Sequence, residues 1–437
     1  MDVKKIGFGS VLAIVFSSQI GSGIFMLPST LAPFGVYGIF GWCFAGIGAI
    51  LLAMVFAELC SRFPRTGGPH TYVREMFGEI PSFFVGWAYW LVSWVSTSVV
   101  IISSIAYLTP LLGDLDLSTS LILEIALLLI ITGVNCRSVE LAGKLEIVLT
   151  AFKFIPFVIV PAILIWSFDS ANIAISSNYA SLPPLKIAVM VSILCFWGFI
   201  GLECATTPAE SVCNPSKTIP RAIIFGTCAV ALVYFVNSAA IMGVVPAAKL
   251  ATSEAPFVDA VSMVGGRNIS LLLSLIASIV CIGTLNAWML ASAQISLGLA
   301  QDGLLPKFFA TKNVNNAPYV SVLISAIGMM PILVLTKDKG LAEQISYIIN
   351  FSVLAFIMVY IACCFVFLKI VIAEKKWGKT TIGVLALGFC LLMIADSSAQ
   401  SICISLSFFI SGAPLLLFRE KTQVLRKKIF KINSLVI

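Results

Sequence analysis

The residues that could do chemistry in this chain lie inside long apolar runs. Gly21, Ser22 and Gly23 stand in the middle of the first run, with Pro28 and Pro33 after them. Glycine weakens a helix, and lipid penalises backbone polar groups that lack partners. A helix broken here would expose N–H groups that suit a carboxylate and carbonyl groups that suit an ammonium. The alternative is that the glycines only let helices pack closely.

A second interruption lies in the stretch WGFIGLE, which runs from Trp197 to Glu203 and again contains two glycines. An indole face attracts a cation by about 0.5–1 kcal/mol when exposed and by about 2 kcal/mol or more when desolvated. A tryptophan in a membrane protein also commonly anchors at the lipid interface. An acid inside an apolar span indicates a function, although Glu203 could instead cap a half-helix. Two matched breaks favour a binding site for a charged solute.

Lys153 is a basic residue inside the apolar stretch TAFKFIP. A charge at the bilayer centre costs about 2.5–3.5 kcal/mol on insertion scales, and Lys153 lies too deep to reach the interface easily. A lysine that loses its proton could couple a proton gradient to solute movement. It could equally be a structural cation that binds carbonyl groups at the first break. Both interpretations stay open.

The composition predicts the class of protein that holds these residues in place. Hydrophobic residues make up 59% of the 437 residues and charged residues 11%, whereas soluble domains carry about 25% charged residues. The mean hydropathy of +1.06 also predicts a polytopic membrane protein. His70 is the only histidine, and the 12 cysteines form no CxxC pair. We therefore expect no enzyme activity, no cofactor and no metal site.

The apolar runs predict an all-α membrane protein with twelve spans. The spans are 8–32, 36–61, 83–110, 119–136, 144–167, 186–210, 221–244, 268–298, 318–336, 343–368, 379–397 and 400–418. Glycine breaks in spans 1 and 6, five spans apart, indicate two inverted five-span repeats. The single transmembrane domain, 1–437, would thus comprise repeats over 8–167 and 186–368, two peripheral helices over 379–418 and a tail over 419–437.

The basic residues predict the orientation in the membrane. Most of the 27 lysines and arginines fall on the side that holds both termini, which makes that side cytoplasmic. The opposite loops hold Lys186, Lys249, Arg267, Lys337 and Lys339. The net charge of +7 therefore reflects membrane topology, and no nucleic-acid partner is expected. The basic tail REKTQVLRKKIFK could contact anionic lipid head groups, although a plain flank of the last span is the simpler interpretation.

Four motifs resemble one known family throughout the chain. The motifs IGSGIFMLP, GGPHTYVREMFG, WGFIGLECATTPAESVCNPSKTIPRAI and AQDGLLPKFFATKN resemble the amino acid–polyamine–organocation (APC) transporters. Within that family they are most similar to the bacterial arginine/agmatine and putrescine/ornithine antiporters. The resemblance implies a LeuT-type fold in which spans 1–5 and 6–10 are inverted and spans 11 and 12 are peripheral. It also implies a homodimer in the cell (inner) membrane.

The resemblance implies roles for particular residues. Backbone N–H groups and the serine hydroxyl of the first break would bind the substrate carboxylate, and Trp197 would stack on the substrate side chain. Ile200 would offer a carbonyl to the α-amine, and Trp288 would be a second gating tryptophan. The implied substrate residues are Gly21, Ser22, Gly23, Ile24, Ser18, Thr97, Trp197, Ile200 and Trp288. The implied gating and coupling residues are Tyr89, Glu203 and Lys153.

The chain departs from the arginine exchangers at several positions. Ser18 and Thr97 stand where those exchangers carry asparagine, which leaves the substrate identity open. The gating tyrosine of span 10 corresponds either to Tyr360 or to the place of Met358. Some proton-coupled members of the superfamily carry a lysine in span 5, where this chain has Lys153, whereas the arginine/agmatine exchanger lacks a charge there.

Two further expectations concern polar residues at helix ends and between helices. Glu58 and the segment 62–74 should form a cytoplasmic ion-pair and gate region. Asn286 could line the cavity or form a hydrogen bond between helices.

The predicted function is secondary active amino acid transport by alternating access. The leading interpretation is exchange of a cationic amino acid, arginine-like or ornithine-like, for its amine or another amino acid. The first alternative is proton-coupled uptake through Lys153, with neutral amino acids as possible substrates. An alternative of another class is a non-transporting membrane receptor or scaffold, against which stands the lack of any soluble signalling domain.

Overall fold

The computed structural model describes residues 7–65, 67–113, 115–207, 209, 212–337 and 341–416, so both predicted cytoplasmic termini, including the tail over 419–437, lie outside the described residues. The regular elements of the described residues are all helices. In chain order the α-helices are α1 (Phe8–Gln19), α2 (Ser22–Leu31), α3 (Val36–Arg62), α4 (Pro69–Phe77), α5 (Glu79–Val95), α6 (Thr97–Ala106), α7 (Thr109–Leu112), α8 (Leu117–Arg137), α9 (Val139–Leu164), α10 (Ser177–Ala180), α11 (Pro184–Phe196), α12 (Pro215–Val244), α13 (Ala247–Leu250), α14 (Pro256–Gly265), α15 (Arg267–Gln301), α16 (Tyr319–Thr336), α17 (Leu341–Ala373), α18 (Trp377–Ala395) and α19 (Ala399–Ile410).

Eleven helical stretches of the described residues are long and apolar enough to cross a membrane. Each of them coincides with one predicted span. The remaining predicted span, 144–167, falls on α9, a 26-residue helix whose side chains are described only in part. The all-helical, polytopic architecture is therefore confirmed, and the count of twelve spans stays a prediction.

Several helices extend beyond the apolar segments that predicted them. α12 begins at Pro215 rather than at 221, because proline suits the first turn of a helix and the charged Lys217 and Arg221 are tolerated there. α17 continues to Ala373 rather than ending at 368. Hydropathy marks the part of a helix that lipid must cover, whereas the hydrogen-bonded helix can continue into water.

The first predicted span is interrupted in its middle. α1 ends at Gln19, Ile20 is extended with φ −76° and ψ 101°, and α2 begins at Ser22. Gly21 between them has φ −148° and ψ −144°, outside the regular helix and strand regions. The chain therefore continues in the same span after a short non-helical stretch.

The sixth predicted span is interrupted more extensively. α11 ends at Phe196, a 3₁₀ turn follows over Trp197–Phe199, and Ile200 is extended. Gly201 has φ +105°, a conformation that favours glycine because a Cβ atom would clash. The next regular element is another 3₁₀ turn, Cys204–Thr206, so no second α-helical half follows this break directly.

The helices pack so that both breaks lie inside the bundle. α1 packs against α12 and α15, and α2 packs against α6, α11, α12 and α14. α18 packs against α17 and α3, while α19 packs against α17 and α5. α19 belongs to the least buried of the eleven stretches, with 11% of its apolar window buried. The peripheral helices over 379–418 and the inverted repeat of 8–167 and 186–368 stay predictions.

Candidate functional site at two helix breaks

A small cavity lies where the two breaks meet. Its volume is about 20 Å³, which holds about one water molecule. From the first break, Ser18, Gly21, Ser22 and Gly23 line it. The predicted Ile24 is not among the lining residues: its side chain is buried in the hydrophobic core.

Gln19 of α1 and residues of other parts of the chain supply the rest of the cavity wall. The predicted residues among them are Thr97, Trp197, Ile200 and Trp288. Sequence analysis missed four further lining residues, namely Gln19, Ser96, Val100 and Thr284. The structure thus brings eight of the nine predicted binding residues to one cavity, and their roles stay predictions.

The carbonyl end of the first break is satisfied by side chains of other helices. The last carbonyl groups of a helix have no partner within it, and buried carbonyl groups need one. The four pairs are Ser17 O with Lys153 Nζ at 3.0 Å, Ser18 O with Trp288 Nε1 at 3.3 Å, Gln19 O with Tyr234 Oη at 2.6 Å, and Ile20 O with Thr284 Oγ1 at 3.1 Å. Side chains from α9, α12 and α15 therefore hold the end of α1.

The N–H end of the same break faces the cavity. The first N–H groups of α2 have no partner within the helix, and they form its positive end. The hydroxyl of Ser22 is buried, and no described residue forms a hydrogen bond with it. A Cβ atom at Gly23 would lie 3.0 Å from Cδ1 of Trp197 and 3.3 Å from Cα of Gly198. The second break therefore packs this closely on α2 only because residue 23 lacks a side chain, and the N-terminal end of α2 suits a carboxylate.

The second break also offers a main-chain carbonyl group to the cavity. Gly198 O lies 3.0 Å from Tyr234 Oη, the hydroxyl that also bonds Gln19 O, and Gly201 O accepts a hydrogen bond from Ser18 Oγ at 2.9 Å. No described residue donates a hydrogen bond to Ile200 O between them. Since Ile200 lines the cavity, this carbonyl group suits an ammonium close to a carboxylate bound at α2.

Two indoles border the cavity. Trp197 is partly buried beside Gly23. Trp288 is 7% exposed, and its ring contacts Phe356 edge-on with 5.9 Å between the ring centroids. Both rings line the cavity between the breaks. This position differs from that of a tryptophan that anchors at the lipid interface.

Glu203 is the centre of a buried hydrogen-bonded group. Its carboxylate accepts a hydrogen bond from Tyr89 Oη at 2.9 Å and another from Tyr360 Oη at 2.6 Å. The N–H of Gly201 also donates to it, at 3.2 Å. This group ties α5 and α17 to the second break. Glu203 does not cap a half-helix, because its side chain bonds back to Gly201 and a 3₁₀ turn follows.

Comparison with known proteins agrees with this geometry. Residues 6–421 match the profile of the family described as amino acid permease. The chain belongs to the amino acid permease family. It is 29% identical over 428 residues to the cadaverine/lysine antiporter of Escherichia coli K12, covering 96% of each chain. It is also 29% identical to the putrescine transporter PotE of Haemophilus influenzae, with 88% of this chain and 89% of that one covered.

The relatives confirm the resemblance found in the sequence and the expectation that the chain is no enzyme. The permease is a multi-pass membrane protein whose relatives move amino acids and amines.

Lys153 of the permease contacts the end of α1 and the cavity wall. Its side chain is 1% exposed, and Nζ also lies 3.1 Å from Ser17 Oγ and 3.2 Å from Thr284 Oγ1. Its charge partner is Glu146, whose Oε1 lies 3.6 Å from Nζ. Sequence analysis missed Glu146, although it lies two helical turns before Lys153 on the same face of α9.

Asn286 of the permease forms hydrogen bonds between helices. Its Nδ2 donates to Ala142 O at 3.0 Å and to Glu146 Oε2 at 3.1 Å, and its Oδ1 accepts from Asn135 Nδ2 at 3.0 Å. Of the two interpretations of Asn286, the structure favours bonding between α8, α9 and α15. Asn286 does not line the cavity between the breaks.

Ion pairs gather at the end of the bundle where α3 finishes, which is the predicted cytoplasmic end. Glu58 pairs with Arg62 at 2.7 Å and with Lys379 at 2.6 Å, and Arg62 also pairs with Glu374. Arg62 and then Lys376 lower the pKa of the exposed Glu374 carboxyl to about 2. The expected ion-pair region thus joins α3 to α17 and α18.

A second group of polar contacts at the same end joins α4 to Asp302, the residue that follows α15. His70 is fully buried, and its Nε2 lies 3.4 Å from Asp302 Oδ2. Arg74 NH1 lies 3.4 Å from the other oxygen of Asp302. These neighbours, His70 first, hold the pKa of the Asp302 carboxyl below its ordinary value.

Proposed function

We propose that the permease exchanges a cationic amino acid, lysine-like, arginine-like or ornithine-like, for a diamine or another amino acid. It would do so by alternating access in a cell (inner) membrane with both termini in the cytoplasm. The relatives named for lysine, cadaverine and putrescine support this substrate class. Agmatine, which the sequence motifs suggested, is named by neither of these two relatives.

One observation carries the proposal, namely the difference between the two sides of the first break. Other side chains hold all four carbonyl groups of residues 17–20, whereas the N–H end of α2 and the hydroxyl of Ser22 remain available. That side of the break therefore suits the carboxylate of an amino acid. The carbonyl group of Ile200 suits its α-ammonium.

The substrate side chain would lie against the two indoles. No carboxylate side chain lines this cavity in the described residues. A cationic tail would therefore be held by the faces of Trp197 and Trp288 and by main-chain carbonyl groups. Such contacts are strongest for a desolvated cation, at about 2 kcal/mol or more.

The small cavity indicates a contracted state of the site. Ligand sites are commonly about 300–1,000 Å³, whereas this cavity measures about 20 Å³. Substrate entry therefore requires the breaks to separate. The contacts that would open include the bonds of Tyr89 and Tyr360 to Glu203.

Counterflow in proteoliposomes tests the proposal. Vesicles loaded with unlabelled lysine, arginine, ornithine, cadaverine or putrescine would receive labelled lysine outside. We expect uptake only when a counter-substrate is inside, and strong loss of uptake in Ser22→Ala. Ser29→Ala is the matched control, since Ser29 lies on the same helix with its hydroxyl bonded to Met26 O at 2.8 Å.

The counterflow experiment has two contrary outcomes. Equal uptake by both serine variants would remove the carboxylate site from α2. Failure to move any amino acid or amine would favour the non-transporting receptor.

The second candidate function is proton-coupled uptake, with neutral amino acids as possible substrates. The bond of Lys153 to Thr284 favours it, because Thr284 also lines the cavity. Uptake into vesicles without counter-substrate, driven by an imposed pH gradient, would distinguish it from exchange. The homodimer implied by the resemblance stays a prediction.

A further inference from the structure

Lys153 is joined to a partly exposed carboxylate through one hydroxyl group. Ser17 Oγ donates to Glu146 Oε1 at 2.5 Å and lies 3.1 Å from Lys153 Nζ. The side chain of Glu146 is 18% exposed, whereas that of Lys153 is 1% exposed. The three side chains thus form a path from a buried ammonium to a group that water can reach.

The same path continues to the cavity between the breaks. Lys153 Nζ lies 3.2 Å from Thr284 Oγ1, and Thr284 lines the cavity. α9 begins at the predicted cytoplasmic end, and Glu146 lies nearer to that end than Lys153 does. A proton that moves from Lys153 to Glu146 therefore moves away from the cavity and towards the predicted cytoplasm.

Three residues of α15 surround this path: Cys281, Gly283 and Asn286. The thiol of Cys281 on α15 is the other titratable group that faces Lys153 in the described residues. Asn286 holds the second oxygen of Glu146 in place at 3.1 Å. Gly283 on α15 leaves room for the lysine stem, since a Cβ atom there would lie 3.3 Å from Lys153 Cε. Glu146 Oε1 lies 3.6 Å from Lys153 Nζ and accepts the hydrogen bond of Ser17 Oγ, so this carboxylate is placed to receive a proton from Lys153.

We infer that Glu146 is the proton acceptor for Lys153 and exchanges that proton with the cytoplasmic side. In the step, an N–H bond of the Lys153 ammonium breaks as its proton moves to Ser17 Oγ. The proton of the Ser17 hydroxyl moves to Glu146 Oε1. The products are a neutral amine and a neutral carboxylic acid, and the acid then releases its proton to water. This inference rests on the proton-coupled candidate under "Proposed function".

The step changes how α9 holds α1. A charged ammonium bonds Ser17 O strongly, and a neutral amine bonds it less strongly. Ser17 belongs to the last turn before the first break. Proton loss would therefore loosen the end of α1 on the side that must move when the site opens towards the cytoplasm.

The test compares Glu146→Gln, Glu146→Asp and Glu140→Gln in proteoliposomes. Glu140 is the matched control, because it lies on the same helix, 75% exposed, in an ion pair with Lys144. Labelled lysine uptake is measured as exchange at equal pH and as net uptake under an imposed pH gradient. Proton movement is followed with an internal pH dye, and melting temperature in detergent reports folding.

We expect Glu146→Gln to lose both the response to the pH gradient and the proton signal. Exchange at equal pH should decrease less than either of them. Glu146→Asp should recover part of both, and Glu140→Gln should behave as the wild type. A gradient response in Glu146→Gln equal to that of the wild type would overturn the inference. So would parallel loss of exchange, gradient response and melting temperature in both Glu146 variants, which is the result expected of a structural ion pair.

Failure of the proposed transport function would give results that differ from failure of the Glu146 inference. Wild-type exchange that ignores the gradient would remove proton coupling and this inference, and would leave the exchanger standing. Absence of any transport by the wild type would refute the proposed function itself.

Discussion

Tyr234 joins the two breaks, and its hydroxyl offers a sharp test of how they are held. Its Oη donates to Gln19 O at 2.6 Å and lies 3.0 Å from Gly198 O. The ring packs against Trp42 and Phe199, with centroid distances of 4.6 and 5.5 Å. Tyr234→Phe would keep these ring contacts and remove the one O–H donor that lies within hydrogen-bond distance of both buried carbonyl groups.

The magnitude follows from the lipid environment. Hydrogen bonds between helices in membranes contribute about 0.6 kcal/mol on average and up to about 1.7 kcal/mol, which is about 3-fold to 16-fold in an equilibrium constant. We expect a loss within that range, because the variant removes one O–H donor from a fully buried site. The loss should weaken substrate affinity, since the closed site buries these groups and an open site lets water reach them.

Tyr107→Phe is the matched control. Tyr107 and Tyr234 are both fully buried, and Tyr107 Oη donates to Phe25 O in α2 at 2.7 Å, away from the break. The assay is the dissociation constant of labelled substrate in detergent, together with the melting temperature. Tyr234→Phe should lose affinity and stability, whereas Tyr107→Phe should lose stability alone. Unchanged affinity in Tyr234→Phe, or equal affinity losses in both variants, would refute the reasoning.

Further predictions concern the site, the coupling lysine and the predicted cytoplasmic end. Gly23→Leu should abolish binding measured by calorimetry without preventing membrane insertion, because its side chain would occupy the space beside Trp197; wild-type affinity would contradict this. Trp197→Leu should weaken binding of cationic amino acids by about 1–2 kcal/mol and of neutral ones by less; equal losses would make Trp197 only a lid. Lys153→Ala should abolish the response of uptake to a pH gradient while exchange persists; loss of both would indicate a structural lysine. The pKa of Asp302 is lowered chiefly by His70, so its carboxylate stabilises the fold above its ordinary pKa and loses this contribution as the pH falls. Asp302→Asn should therefore make the melting temperature less sensitive to acid below about pH 4. An unchanged acid sensitivity would contradict this.

The breaks could be predicted from sequence because their signal is local. Glycines inside an apolar run weaken the helix at a point where lipid penalises unpaired backbone groups, so a break there needs partners inside the bundle. The structure interrupts the chain at Ile20–Gly21 and again at Ile200–Gly201. The form of the second break was not predictable in this way. Residues 204–206 form a 3₁₀ turn where the sequence suggested an ordinary half-helix as an alternative.

The partners of the breaks could not be predicted because they are distant in sequence. Tyr234 lies in an apolar helix with no neighbouring motif, and only the fold brings it to Gln19. Tyr360 could not be chosen over Met358 from spacing alone, yet its hydroxyl lies 2.6 Å from Glu203. Glu146 differs from these, because its spacing of two helical turns from Lys153 is a local signal that could have identified it.

The first break has two electrostatically opposite ends, and this connects Lys153 to the substrate without direct contact. The carbonyl end of α1 is the negative end of that helix, and the Lys153 ammonium bonds Ser17 O there at 3.0 Å. The N–H end of α2 is positive and suits a carboxylate. Loss of the ammonium charge would weaken the bond between Lys153 and the end of α1. A substrate carboxylate that arrives would form new bonds with the N–H end of α2. Because only Ile20 and Gly21 separate the two helices, either event changes the strain on the same short segment. Proton and substrate could therefore influence each other through the backbone of the break itself.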